Sequence, residues 1–336
     1  MNPKLVKALQ FIFFLFVGLI LLYFAFRGID LNKLMVEIKQ ADYRWVALSL
    51  IFAVLALVFR ALRWQLLIEP LDEYPKMTNI FHAINIGYLA NFVFPRIGEI
   101  TRCGILYRTD QISVGRLVGT VIVERIFDLL MTALMLCLIL LMRFGEVSDF
   151  IAENIMKPMM SRLPGGWVMA AMIMVGLSVF VLYRIFRVQL SKITALRKIK
   201  ELMRGIAKGI QSAYRIRNFG LFIASNFLIF GMYFLQTYVM FFALNSTSSL
   251  GLTDTLFILV LSALSFIVPV QGAIGAYHWI ISVGLTIFGL TREEGMVFAT
   301  ISHTSTAILF ILLGAMSLIF VFCGNKKKLQ KNTKNQ

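Results

Sequence analysis

Residues 91–102 read Asn91-Phe-Val-Phe-Pro95-Arg96-Ile-Gly98-Glu99-Ile-Thr-Arg102, a stretch that closes an apolar run with a turn and a group of charges. Pro95 has no backbone N–H and breaks a helix, and Gly98 tolerates the dihedral angles of a tight turn. Arg96 and Glu99 place opposite charges where a membrane-embedded chain least tolerates unpaired ones. The stretch therefore predicts a functional break in a membrane helix; the alternative is an ordinary interfacial loop.

Composition assigns the chain to the membrane proteins. Hydrophobic residues make up 59% of the 336 residues, charged residues only 15%, and the mean hydropathy is +0.81. Several apolar stretches exceed the length that crosses a bilayer, which excludes a soluble globule. The net charge of +16 does not imply nucleic acid, because Lys and Arg gather on the cytoplasmic side of membrane helices. Cys103, Cys137 and Cys323 are far apart and favour neither a disulfide framework nor a metal site, and we expect no cofactor.

The apolar runs predict an all-α polytopic membrane protein of about 6–8 transmembrane helices, in a single integral-membrane domain over residues 1–325. The predicted spans lie near residues 9–26, 45–68, 115–142, 167–187, 219–244, 252–268 and 296–323. Two further apolar segments, 77–95 and 272–290, are interrupted by Gly, Pro, Asn or His. We expect these to be short or re-entrant helices, which occur only where protein or a watery cavity covers the backbone. Their corresponding places in the two halves are typical of an inverted repeat.

Basic residues predict the orientation of the chain. Residues 184–217 contain ten Lys or Arg against the single acid Glu201, and residues 326–336 contain five Lys. Together with Lys4 and Lys7, they predict that both termini are cytoplasmic in a multi-pass protein of the cytoplasmic (inner) membrane. The stretch 188–217 is predicted to be an amphipathic basic helix on the inner leaflet. The alternative is a solvated connector, and residues 326–336 are predicted to be a basic cytoplasmic tail.

A second charged cluster, Glu124-Arg125-Ile-Phe-Asp128, lies within the predicted span 115–142. Glu124 is roughly 13 Å from the start of that helix at 1.5 Å per residue. Glu124 and Asp128 share one helix face, and Arg125 can reach Asp128. Charges at that depth are costly, so we expect them to face the interior in pairs. The two clusters predict a buried, self-neutralising ion network of Arg96, Glu99, Arg102, Glu124, Arg125 and Asp128.

Arg60 and Arg63 lie near the end of the second predicted span and add two positive charges to that balance. If they face the same cavity, the site suits the phosphate of an anionic lipid head group, which Arg binds in bidentate fashion. One alternative is that both side chains extend to the membrane interface. Another is that the ion network is purely structural.

A third motif runs from Pro269 to His278 and reads Pro-Val-Gln-Gly-Ala-Ile-Gly-Ala-Tyr-His. Gly272 and Gly275 permit a tight reversal, and a helix that begins after them would direct its N-terminal amides at an anion. His278 and His303 could titrate near neutrality as proton or head-group sensors. The alternative for each is a buried histidine with a satisfied hydrogen bond.

Taken in order, the three motifs resemble the flippase-like family of lysylphosphatidylglycerol synthase transmembrane regions, over nearly the whole chain. The family includes the membrane half of bacterial aminoacyl-phosphatidylglycerol synthases, which moves the modified lipid between leaflets. The resemblance implies a substrate path lined by Asn91, Pro95, Arg96, Gly98, Glu99, Arg102, Glu124, Arg125, Asp128, Pro269, Gly272, Gly275 and His278.

The third motif departs from the family pattern. Gln271 replaces a Pro, Ala273 replaces a Gly, and His278 stands where the family commonly has a Glu. The loss of that acid argues against a cationic lysyl head group. The chain also ends soon after its last predicted span, so we expect a stand-alone member without the aminoacyl-transferase domain.

The leading hypothesis is a lipid flippase or transporter, not an enzyme, whose partner is an anionic phospholipid or a polyprenyl-phosphate lipid. An ion or proton gradient would drive it through Glu99, Glu124 or Asp128, since no nucleotide-binding motif is visible. One alternative is an accessory scaffold that binds a cell-envelope synthesis complex. Another is a membrane-embedded transferase, although no phosphate loop, metal-spaced cluster or activated nucleophile is visible.

Overall fold

The computed structural model describes residues 16–152, 157 and 215–333, and the regular elements of this part of the chain are all helical. The helices are α1 (Phe16–Phe26), α2 (Leu31–Gln40), α3 (Tyr43–Ile68), α4 (Met77–Val93), α5 (Gly98–Asp110), α6 (Val114–Ile151), α7 (Phe219–Phe241), α8 (Leu252–Ser265), α9 (Ala276–Gly284) and α10 (Arg292–Thr333). Short 3-10 turns occupy Glu69–Leu71, Gln271–Ala273 and Leu285–Phe288. The prediction of an all-α membrane protein is confirmed.

Four helices of the described part are long and apolar enough to cross a membrane. They cover Tyr43–Leu71, Val114–Gly145, Phe219–Phe241 and Arg292–Phe322, close to four of the predicted spans. The last helix continues to Thr333, so the backbone of the predicted tail is helical as far as that residue. The predicted span 167–187, and the predicted amphipathic helix 188–217 up to residue 214, lie outside the described residues.

Polar contacts identify the helix ends that share one side of the bundle. Arg116, at the start of α6, pairs with Glu73 at 2.8 Å, just beyond the end of α3. Asn79, at the start of α4, donates to Asp110 at the end of α5 at 3.0 Å. We name this side the Glu73 face.

The opposite side, the Asp254 face, has its own contacts. Arg143 of α6 pairs with Asp254 at the start of α8 at 2.9 Å. The Asp42 N–H, which precedes α3, donates to the carbonyl of Ala243, just after α7, at 2.9 Å. Arg292, at the start of α10, reaches the carbonyl of Phe24 near the end of α1 at 3.4 Å. Helices α3, α6, α7 and α10 therefore run between the two faces.

Helices α4 and α5 form a first hairpin that leaves the Glu73 face and returns to it. Helix α4 ends at Val93, before Pro95, and Arg96 in the turn has a φ of +61°. The side chain of Asn91 closes the turn by accepting from the N–H of Gly98 at 2.7 Å. The sequence predicted the break at Pro95 but not the helix α5 beyond it.

The first hairpin is closed by direct backbone contact. A Cβ atom added to Gly87 of α4 would lie 2.9 Å from the carbonyl oxygen of Gly98 in α5. Such a distance is not compatible with a side chain at that position, since protein interiors are already close-packed. Two glycines facing each other are thus what lets α4 and α5 run side by side.

Helices α8 and α9 form a second hairpin, which leaves the Asp254 face and returns to it. Gly272 and Gly275 have φ values of +56° and +82°, which residues without a Cβ adopt most readily. Beyond α9, Phe288 lies against the guanidinium of Arg143, 5.6 Å from ring centre to Cζ, at the Asp254 face. The predicted span 252–268 is therefore wrong, because its helix α8 covers only Leu252–Ser265 and the chain then turns back into α9.

The two hairpins meet at their tips inside the bundle. Arg96 Nη2 donates to the carbonyl of Ile267 at 2.6 Å, and a Cβ added to Gly272 would lie 2.5 Å from the ring of Phe92. The two larger buried apolar clusters of the described residues pack around one hairpin each, and a third, small cluster joins α6 to α8. The opposed hairpins are arranged as an inverted repeat would arrange them.

Candidate functional site

Glu124 of α6 is the centre of the candidate site. Its side chain is fully buried, and four guanidinium groups lie within 3.4 Å of its carboxylate oxygens. The nitrogen–oxygen distances are 2.9 Å for Arg63, 2.9 Å for Arg102, 3.0 Å for Arg125 and 3.4 Å for Arg60. These arginines come from α3, α5 and α6, so the site joins three helices.

Asp128, one turn further along α6, is the second carboxylate of the site. Nitrogens of Arg60 and Arg63 each lie 2.7 Å from its oxygens, and Arg125 lies at 3.0 Å. The predicted Arg125–Asp128 pair is therefore present. Arg60 and Arg63 join the same charges instead of extending to the interface. We name the six side chains the arginine network: Arg60, Arg63, Arg102, Arg125, Glu124 and Asp128.

Helix geometry explains how the network assembles. Arg60 and Arg63 are three residues apart on α3, and Glu124 and Asp128 are four apart on α6, so each pair projects from one helix face. Arg102 belongs to α5, and only the return of the chain in the first hairpin brings it to Glu124. The Pro95–Gly98 turn thus contributes to the site by placing Arg102.

Uncharged side chains complete the surroundings of the network. Arg63 donates to Asn226 Oδ1 at 2.7 Å, and Arg60 donates to the hydroxyls of Tyr88 and, at 3.4 Å, Tyr233. Sequence analysis missed these three residues. Asn226 and Tyr233 are seven residues apart on α7 and so share a face, which is the available sequence signal for a polar stripe in an apolar helix.

Trp64 packs against the network from α3. The guanidinium carbon of Arg102 lies 4.5 Å from the centre of its ring, within the range of a cation–π interaction. The indole N–H donates to Thr120 Oγ1 at 3.0 Å. Trp64 is fully buried, and no pattern in the sequence singles it out.

The network is sealed at its centre and open at one end. The side chains of Arg63 and Glu124 have no exposed area, whereas that of Arg125 is 43% exposed. Ile126 and Leu129, next to Arg125 on α6, are exposed apolar residues. The exposed end of the network therefore lies in an apolar surface of a membrane-spanning helix.

Arg96 and Glu99 do not belong to the network, which corrects the predicted charge balance. Arg96 is bonded to the Ile267 carbonyl, and neither residue forms an ion pair within the described part of the chain. Glu99 Oε2 is buried without a hydrogen-bond partner there. The left-handed backbone of Arg96 directs its side chain across to the second hairpin instead of along α5.

The third motif forms a separate polar group in the second hairpin. Helix α9 begins after Gly275, as expected, and His303 Nε2 lies 2.7 Å from the carbonyl oxygen of Gly272. The rings of His278 and His303 are 4.9 Å apart, and His278 is buried. His303 therefore fits the alternative to a sensor role, which is a histidine with a satisfied hydrogen bond. Pro269 lies in the turn between α8 and Gly272.

The structure therefore divides the predicted substrate path into two groups. One contains the arginine network and the turn of the first hairpin; the other contains the glycines and histidines of the second hairpin. They are connected through the bond from Arg96 to Ile267. Within residues 16–152, 157 and 215–333, no three His, Cys, Asp or Glu side chains are grouped so as to hold a metal ion.

Fold and site together define a polytopic α-helical membrane protein with two opposed re-entrant hairpins and a buried arginine network. Residues 10–314 match the sequence model of the lysylphosphatidylglycerol synthase transmembrane region. The chain belongs to this family.

A second comparison identifies a relative among membrane proteins. A UPF0104 membrane protein of Methanocaldococcus jannaschii is 30% identical over 133 residues. The matched part spans 38% of this chain and 38% of that protein. No solved structure matches the chain.

Proposed function

We propose that this protein moves a phospholipid or polyprenyl-phosphate-type lipid between the two leaflets of the membrane without converting it chemically. The arginine network is the head-group site, and the lipid chains remain in the bilayer. The observation that supports this most directly is a group of four guanidiniums in a membrane-spanning bundle, three of them largely buried and the fourth, Arg125, at an exposed surface. Ionisable groups at such depth are costly and mark substrate pathways in membrane proteins.

The opposed hairpins are the elements that we propose to move. Each returns to its own face, and the contacts between their tips include the Arg96–Ile267 hydrogen bond and the close approach of Phe92 to Gly272. Separating these tips would expose the site to one leaflet at a time, as in transporters built from inverted repeats. The family to which the chain belongs is named for the membrane region of a lipid synthase, which agrees with a lipid substrate.

The Arg125→Ala substitution is expected to slow lipid exchange by about tenfold or more, because it removes the charged group that a phosphate would meet first. Exchange of fluorescent phospholipids and of a polyprenyl phosphate would be measured in liposomes. The variant is expected to remain folded, because the buried Glu124 keeps its ion pairs with Arg63 and Arg102.

Arg116→Ala is the matched control for this experiment. Arg116 is also a partly exposed arginine at an ion-pair distance, 2.8 Å from Glu73, but it lies at the Glu73 face and outside the network. Its exchange rate should equal that of the wild type. Unchanged exchange in Arg125→Ala would remove the network from the transport path. If folded wild-type protein exchanged no lipid at all, an accessory scaffold role would be favoured instead.

We also propose that the Glu73 face is cytoplasmic, because the basic stretch 184–217 connects to the start of α7 on that side. Single cysteines at two exposed positions test this, Tyr74→Cys at the Glu73 face and Ser249→Cys beyond α7, in a chain that lacks its three native cysteines. An impermeant maleimide applied to intact cells should label only Ser249→Cys. Labelling of Tyr74→Cys alone would reverse the orientation.

A further inference from the structure

We infer that the lipid bound by the arginine network ends in a phosphate monoester, the group of a polyprenyl phosphate or a phosphatidic acid, and not in a phosphodiester. The inference rests on the proposed function and names the chemical class of its substrate. It follows from the balance of charge, from the balance of hydrogen-bond donors and from the position of the exposed arginine.

The charge balance of the network leaves room for a dianion. Four guanidiniums contact two carboxylates, an excess of two positive charges in a largely buried site. Buried charges are stable only when they are paired. Glu99 does not reduce this excess by contact, since it forms no ion pair within the described part of the chain. A phosphate monoester carries up to two negative charges near neutral pH, because its second pKa is about 6, whereas a phosphodiester carries one.

The network also has donors without acceptors. The Nε atoms of Arg60, Arg63 and Arg102 are buried, and none has a hydrogen-bond partner in the described residues. Glu124 Oε2 and Asp128 Oδ1 also lack a hydrogen bond of good geometry, but each already lies within 2.9 Å of a guanidinium nitrogen, of Arg102 and Arg63 respectively. Buried donors in native proteins are nearly always satisfied, so these three indicate an absent acceptor. A phosphate monoester offers three terminal oxygens, one more than a phosphodiester offers.

The position of Arg125 favours a lipid over free phosphate. Its side chain is 43% exposed, and its neighbours Ile126 and Leu129 are exposed apolar residues of the spanning helix α6. A ligand that approaches from this surface comes from the hydrocarbon side and brings an apolar chain with it. Free phosphate would have to cross that apolar surface.

Trp64 provides a reporter for binding, because its ring packs on Arg102. The full-length protein would be placed in phosphatidylcholine nanodiscs with Trp45, Trp167 and Trp279 changed to Phe, which leaves Trp64 as the sole tryptophan. Its fluorescence would be titrated with phosphatidic acid, a polyprenyl phosphate and phosphatidylglycerol at pH 8. Glycerol 3-phosphate would serve as a soluble monoester, and inorganic phosphate as the free ion.

We expect both monoester lipids to bind about tenfold more tightly than phosphatidylglycerol at pH 8, since charge-assisted hydrogen bonds are the strong ones. The preference should shrink at pH 5, where the monoester has lost one charge. Equal or tighter binding of phosphatidylglycerol at pH 8, or a preference that does not change with pH, would overturn the inference. Soluble monoesters that bind as tightly as the lipids would overturn the assignment to a lipid.

Two variants keep the result interpretable. Arg125→Gln should weaken monoester binding without unfolding the protein, whereas Arg116→Gln should leave binding unchanged. Liposome exchange of the same lipids separates this inference from the proposed function. If monoester lipids bind selectively but are not exchanged between leaflets, the proposed transport is refuted and the assignment of a monoester ligand is supported. If monoester and diester lipids bind with equal affinity and are exchanged at equal rates, the proposed transport is supported and the assignment of a monoester ligand is refuted.

Discussion

Changing Glu124 to Gln is expected to lower the free energy of unfolding by about 3–5 kcal/mol, because it breaks a buried ion network by removing one charge. Asp128 would then be the one carboxylate of the network, in contact with Arg60, Arg63 and Arg125, and Arg102 would lose its ion-pair partner. Lipid exchange should be lost as well, even when it is compared at equal amounts of folded protein. Unfolding in detergent, followed by circular dichroism, would measure the first effect, and liposome exchange the second.

The control is Glu73→Gln, which removes an acid from a partly exposed pair with Arg116. It should change the stability by no more than about 1 kcal/mol. Combining Glu124→Gln with Arg63→Gln removes both members of a fully buried pair, so the double variant should be more stable than the sum of the single effects by about 1–3 kcal/mol. Equal effects of Glu124→Gln and Glu73→Gln, or strict additivity in the double variant, would contradict the network.

The Gly98→Ala substitution is expected to destabilise the protein by about 3 kcal/mol, because overpacking against backbone cannot be relieved by a rotamer change. The added Cβ would collide with the carbonyl oxygen of Gly87 and lie 2.7 Å from Asn91 Nδ2. Both atoms belong to α4, so the substitution separates the first hairpin and moves Arg102 away from Glu124. Thermal unfolding and Trp64 fluorescence would report the two consequences.

Gly104→Ala tests whether any added methyl group on α5 is harmful. Gly104 lies on the same helix, and no atom would lie within 4 Å of its added Cβ. It should therefore stabilise the protein by about 0.5–1 kcal/mol, since Ala is the better helix former. A Gly98→Ala variant as stable as Gly104→Ala would show that the hairpin tolerates a wider separation.

The sequence predicted what depends on local chemistry. Pro95 identifies the end of α4, Gly272 and Gly275 identify the turn before α9, and the charges within the span at Glu124 had to face the interior. Each of these follows from a local property of one residue: the backbone restriction of Pro, the backbone freedom of Gly, or the free-energy cost of a charge in the membrane. Four of the predicted spans, 45–68, 115–142, 219–244 and 296–323, were predicted within a few residues for a similar reason, because bilayer thickness fixes their length.

The sequence did not predict what depends on tertiary packing. Arg60 and Asp128 are 68 residues apart, and nothing local shows that they pair. Helix α5 was missed because its residues 98–110 mix glycine and charges and have no continuous apolar run. Arg96 was assigned to the carboxylates by its charge, but the left-handed conformation of its backbone sends the side chain to Ile267.

The meeting of the two hairpins also has a consequence for biosynthesis. Arg96 and its acceptor Ile267 are 171 residues apart, so a ribosome adding 5–20 residues per second delivers the acceptor roughly 10–30 s after the arginine. During that interval Arg96 of the first hairpin lacks the carbonyl acceptor that it has in the folded protein. The first hairpin can therefore reach its final contacts only after the second hairpin has been synthesised and inserted from the opposite face.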